Sequence, residues 1–218
     1  AHKGNLVNAV ELREAMEEEG SIFRSTMDSE VILHLIAKSR RKGTENMVID
    51  ALENVRGAFS LIFLTKDGII AARDPHGFRP LCIGRYGDAT IVASESCAFD
   101  ILGAEYVREV EPGELVTVSA GGVRSTRFAA PAERQSRCIF EFIYFSRPDS
   151  RVFGENVDKV RRKLGAKLAE ESPAGADIVI AVPDSSNTIA LGYAVESKLP
   201  TAHGEFKLIA YETIVDQQ

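Results

Sequence analysis

The feature that most constrains this chain lies between Ala58 and Ser119, where short apolar segments follow one another closely and are separated by turn residues. Phe59–Thr65 and Gly68–Ala72 flank Lys66-Asp67-Gly68, the pattern of a hairpin. Further strands are predicted at Leu81–Gly84, Ala89–Ala93, Tyr106–Val110 and Glu114–Ser119, each bounded by Gly, Pro or Asp. Parallel neighbours need a crossover of a dozen or more residues. Spacing this tight therefore predicts antiparallel sheet, with a short helix at Ser96–Leu102.

Ahead of the strands the periodicity is helical. Asn8 is placed to cap a helix over Glu11–Glu19, with Gly20 as its stop. Asp28 or Thr26 can cap a second, carrying Val31, Ile32, Leu35 and Ile36 at helical spacing. Thr44 opens a third with Met47, Val48, Ala51, Leu52 and Val55 on one face and Gly57 closing it. From Ser119 to Ser136 the sequence thins into Gly, Ala, Pro and Arg, which sets an expected boundary between domains at 1–130 and 131–218. Beyond it the expected order is strand (Cys138–Phe145), helix (Glu155–Glu171), strand (Asp177–Val182), helix (Thr188–Ser197). That alternation is the start of a doubly wound α/β domain. The segment from Glu205 to Gln218 does not close such a sheet, and the chain starts Ala1-His2 without an initiator methionine. Both ends are read as lying inside a longer protein.

The bulk chemistry excludes some partners. Hydrophobic residues make up 44% and charged residues 27%, enough for a buried core. A net charge of −6 argues against nucleic acid or anionic membrane as the main partner, since phosphate backbones need a basic surface. No apolar run approaches a membrane span. Cys82, Cys97 and Cys138 are odd in number and far apart, which points to a reducing, cytoplasmic setting.

Five motifs carry chemistry. Ala1-His2-Lys3-Gly4-Asn5-Leu6 and Met27-Asp28-Ser29-Glu30 lie before and at the start of helical segments. Arg73-Asp74-Pro75-His76-Gly77-Phe78-Arg79-Pro80 reads as a tight turn between strands with charges that can pair across it. The run from Cys138 to Ser150, Cys-Ile-Phe-Glu-Phe-Ile-Tyr-Phe-Ser-Arg-Pro-Asp-Ser, is followed by Val182-Pro183-Asp184-Ser185-Ser186 in a loop between strand and helix. Read locally, Asp28 is either a helix cap or a carboxylate that selects a cation. Ser185 is either an N-cap or a ligand in a phosphate loop.

Together these motifs resemble the amidophosphoribosyltransferases of bacterial type, over nearly all the chain and weakening after Leu199. The first three belong to class II glutamine amidotransferases generally, and the last two narrow the resemblance. It implies an α+β N-terminal-nucleophile domain followed by the start of an α/β phosphoribosyltransferase domain. It also implies ammonia transfer from glutamine to phosphoribosyl pyrophosphate (PRPP), giving phosphoribosylamine at the start of purine biosynthesis. In that family an Asn side chain and a Gly amide form the oxyanion hole; Gly4 keeps its place, and Lys3 stands where the Asn is expected. Asp28 would receive the glutamine α-amino group, and Ser185 would help hold Mg²⁺ with PRPP. Cys138 matches the first of four thiolates of a [4Fe–4S] cluster, the other three falling beyond Gln218. Purine nucleotides are the implied feedback ligands and a homo-oligomer the implied assembly. The nucleophilic Cys and the Asp-Asp-Ser phosphate loop are not in this sequence, so the segment alone is expected to be inactive. Its sheet is expected to leave an unpaired edge and a poorly soluble fragment.

Overall fold

The computed structural model describes residues 1–176 and 178–196. It divides into a first unit, residues 1–141 with 151–154, and a second, residues 142–150 with the chain from 155 onward.

The first unit is built on a five-stranded antiparallel sheet in the order β1 (His2–Leu6), β2 (Gly57–Thr65), β3 (Gly68–Arg73), β7 (Glu114–Ser119), β8 (Gly122–Arg127). A second antiparallel sheet of three strands orders β5 (Ala89–Ala93), β4 (Cys82–Tyr86), β6 (Glu105–Glu109). Alternation along β3 shows why the large sheet is buried on both faces. Ile70 and Ala72 pack with Leu6, Phe59, Leu61 and Leu115 against α1 (Ala9–Glu18), α2 (Asp28–Lys38) and α3 (Thr44–Asn54). Ala71 points the other way, joining Leu81, Ile83, Val110 and Val116. A short helix, α4 (Cys97–Leu102), completes the unit.

Several local expectations change. Asn8 sits at the N-cap position of α1 without capping it: its Nδ2 donates to Asn54 O and its Oδ1 accepts from Arg56 N–H, stitching the loop to the start of β2. Gly57 opens β2 rather than closing α3. It is at φ +132°, and a Cβ there would lie 2.3 Å from Asn5 O. The segment read as a linker is part of the first unit, because β8 pairs with β7 along its whole length. Beyond β8, Ala132, Ser136 and Cys138 donate backbone hydrogen bonds to Pro75, His76 and Phe78.

The expected strand at 138–145, which runs from the first unit into the second, is not a strand. Glu141–Phe145 forms a π-helical turn. The buried Arg161 holds that turn, donating from Nε to Phe142 O at 2.5 Å and from a terminal nitrogen to Ser146 O at 2.8 Å. Helix α5 (Val157–Glu171) is capped by Asn156, whose side chain accepts from Lys159 N–H at 3.0 Å, and α6 (Asn187–Glu196) follows. The two helices approach at glycines: a Cβ on Gly165 would lie 1.9 Å from Ile189 O, and one on Gly192 would lie 2.1 Å from Arg162 O. Residues 178–182 form no strand among the described residues, and the readings placed on Asp177 and on 197–218 lie outside them.

Candidate active site

The site is set by the alternation of backbone groups along β1. Ala1 O accepts from Ile62 N–H and Val7 N–H donates to Arg56 O, so the odd-numbered groups face β2. The even-numbered amides, Gly4 among them, therefore point to the open edge. Leu6 N–H, the next on that edge, donates to Asp28 Oδ2 at 2.9 Å. The outward Gly4 amide and the Asp28 carboxylate thus share one edge, two residues or about 7 Å apart along the strand. Gly4 is at φ +154°, and a Cβ would lie 2.0 Å from Ala58 O, so the close approach of β1 to β2 requires glycine.

Asp28 is the first residue of α2, and the helix has no side-chain cap; Met27 holds the N-cap position. The carboxylate is turned instead toward β1, with Oδ1 3.3 Å from His2 Nδ1. Asp28 therefore does not cap its helix. The loop before it is fixed by Glu30, which accepts from Arg24 N–H, Ser25 N–H and the Ser25 hydroxyl. Those hydrogen bonds, the hydroxyl's foremost, hold the Glu30 carboxyl down at about 2.

Lys3 projects to the other face of the sheet. Its Nζ lies 3.0 Å from Glu141 Oε2 and 3.7 Å from Glu95 Oε1. Glu141 has a side-chain exposure of 0% and also meets Arg79, whose Nε is 3.1 Å from Oε1. Two cations and two carboxylates thus balance in one network. Its Glu141 had no role in the sequence reading, because a Glu inside an apolar run gives no sign of burial. The ammonium of Lys3 is held by these carboxylates at the position where the resemblance expects a neutral amide donor.

The turn Arg73–Pro80 is structural. The buried Arg73 donates to Arg79 O, Val110 O and Gly77 O and pairs with Glu109 at 3.2 Å. Asp74, fully buried, accepts from the amides of Phe59, His76 and Phe78; burial nonetheless pushes its carboxyl up.

Cys138 lies in coil, half-buried, and its sulfur accepts from Arg79 at 3.3 Å. Cys82 and Cys97 are buried elsewhere, and burial, with Glu109 next, pushes the Cys82 thiol up to about 12. Among the described residues no group of three or more His, Cys, Asp or Glu can hold a metal ion. One thiolate does not make a four-thiolate cluster site, so the described residues by themselves do not fit one. Ser185 is half-buried in a turn where the neighbouring Ser186 hydroxyl donates to Val182 O; no carboxylate cluster accompanies it among the described residues. Nor is any helix among them long and apolar enough to cross a membrane.

Residues 1–100 match the family model described as a glutamine amidotransferase domain. The amidophosphoribosyltransferase of Bacillus subtilis is 47% identical over 207 residues, covering 95% of this chain and 43% of the relative. A solved structure of the glutamine PRPP amidotransferase from B. subtilis, complexed with ADP and GMP, superposes with a TM-score of 0.86 at 47% identity. It covers 90% of this chain and 43% of that one. A second, described as the allosteric regulatory enzyme of purine biosynthesis, gives 0.87 at 43% identity, covering 97% of this chain and 47% of that one. The chain therefore spans less than half the length of the relatives it matches.

Proposed function

We propose, from the premise that this chain is homologous to the amidophosphoribosyltransferases along nearly all its length, that it supplies the glutamine-recognising part of an enzyme of that kind. The whole protein would release ammonia from glutamine and place it on C1 of PRPP, expelling pyrophosphate. The product, 5-phosphoribosylamine, opens purine biosynthesis.

The observation that carries this reading is the shared edge of β1. Asp28, acceptor-only when ionised, offers a cation site beside Leu6 N–H. Two residues away the outward amide of Gly4 is placed to meet an oxyanion. In glutamine the α-nitrogen and the amide oxygen are five covalent bonds apart, roughly 6 Å when extended, which is comparable to the step between the two groups. A donor fixed where negative charge develops lowers the barrier to attack, and losing one such donor costs roughly 2.7–4 kcal/mol.

Nucleotide control is part of the proposal: ADP and GMP occupy the B. subtilis structure, and purine nucleotides are the natural feedback ligands of a first committed step. A homo-oligomer and a cytoplasmic location complete the reading. Magnesium beside Ser185 and a cluster at Cys138 enter it only through residues outside those described. The test is phosphoribosylamine formation by the full-length polypeptide with PRPP and either glutamine or ammonium. Product from both donors is expected; none from either overturns the assignment.

One observation favours a second reading, a relative that binds ligands without turnover. Lys3 Nζ is committed to Glu141 and Glu95, which leaves the oxyanion site with the Gly4 amide alone. Glutamine binding by calorimetry with no product from either donor would support that reading; product from ammonium but not from glutamine, restored by Lys3→Asn, would instead locate a defect of the glutamine half-reaction at that residue.

A further inference from the structure

The reading of Asp28 as the carboxylate for a ligand's α-ammonium leaves a second buried polar residue beside it unexplained. The His2 side chain is 9% exposed, with Nδ1 3.3 Å from Asp28 Oδ1. Its other ring nitrogen, Nε2, is buried and has no hydrogen-bond partner among the described residues. A buried polar atom left without a partner costs about 1–3 kcal/mol. A phenyl ring would fill similar space without that cost, so the compensating use of an imidazole must lie at Nδ1.

We infer that His2 is a positioning residue for Asp28, and through it for recognition of the α-ammonium of a free amino acid. The inference rests on the reading of Asp28 given above. A carboxylate only accepts, so the contact requires a proton on Nδ1. Leu6 N–H on Oδ2 alone fixes one oxygen and leaves the carboxylate plane free to turn. A second donor on Oδ1 fixes the plane, so that the remaining lone pairs are aimed rather than averaged. At 3.3 Å the two groups are within ion-pair reach without the alignment of a full hydrogen bond, a geometry that a bound ligand can tighten. The backbone carries the argument further. His2 stands on β1 two residues before Gly4, on the same sheet face. One short strand therefore supplies the outward amide, the Leu6 donor and the imidazole, and α2 supplies the single carboxylate they organise.

The test is calorimetric titration of the protein with glutamine and with 4-carbamoylbutanoate, which has the same carboxamide chain and no amino group. For His2→Phe, glutamine is expected to weaken about tenfold, the scale of one hydrogen bond to a charged group, with the amino-free analogue unchanged. His2→Asn, whose amide nitrogen can stand in for Nδ1–H, should recover most of that loss. Asp28→Asn should reduce glutamine to the level of the analogue. Equal weakening of both ligands in His2→Phe, or failure of His2→Asn to recover, would reduce His2 to a packing residue and overturn the inference while leaving Asp28 in place. A native protein with no preference for glutamine over the analogue would overturn the reading of Asp28 and this inference with it.

Discussion

At Gly4 a methyl group would have to share space with Ala58 O, at a backbone angle that side chains rarely adopt. Gly4→Ala is therefore expected to lose at least about 1–3 kcal/mol, read as a lower urea midpoint, and to displace the outward amide with it. Lys3 poses the opposite problem, a residue whose removal helps one function and harms another. Replacing it by Asn puts an amide donor at that position but takes one cation from Glu141, leaving Arg79 at 3.1 Å. Lys3 is about a quarter exposed, so the expected cost lies between that of surface and buried pairs, about 1–2 kcal/mol by denaturant unfolding. Gly4 and Asp28 were legible from their motifs. His2 and Glu141 were not, because their importance comes from burial beside partners 26 and 138 residues away in the chain, which no local pattern records.

At the level of elements, the loop that delivers Asp28 depends on a carboxyl held at about 2. A carboxyl held below its unfolded value stabilises the fold above the unfolded pKa and loses that contribution as pH falls through the folded one. Ordering of 24–27 should therefore be intact above about pH 4.5 and fade toward pH 2, while Glu30→Gln shows it weakened already at neutral pH. Amide exchange at Arg24 and Ser25 reads this directly; pH-independent exchange in Glu30→Gln equal to the native rate would contradict it. In the second unit, Gly165→Ala gains helix propensity of about 1 kcal/mol yet meets the backbone of Ile189. A net loss of about 1–2 kcal/mol is expected by thermal melt, because overpacking costs more than propensity returns. Strands β3, β5 and β7 were readable as short apolar segments bounded by turn residues. Strand β1, His-Lys-Gly-Asn-Leu, was not, since only its pairing with β2 makes it a strand. The run at 138–145 misled for the reverse reason: its apolar texture reads as strand, while Arg161 draws its carbonyls into a turn.

Across the whole molecule, apolar side chains remain exposed in both units. In the first, Ile139 and Phe140 face solvent; in the second, Tyr144, Phe145, Ile178, Ile180 and Val182 do so. Exposed large apolar side chains favour association. Sedimentation velocity is expected to show concentration-dependent self-association of the 218-residue chain, reduced by Ile180→Glu; a strictly monomeric protein across a wide concentration range would contradict this. The tie between Lys3 and Glu141 carries a consequence of another kind. It joins residues 138 positions apart, and β1 pairs with residues 57–61. Contacts of such separation are entropically slow to close and are rewarded only once the intervening chain is in place. The strand that bears Gly4 should therefore dock late in folding, so that an immature chain holds its sheet before it can recognise an amino acid.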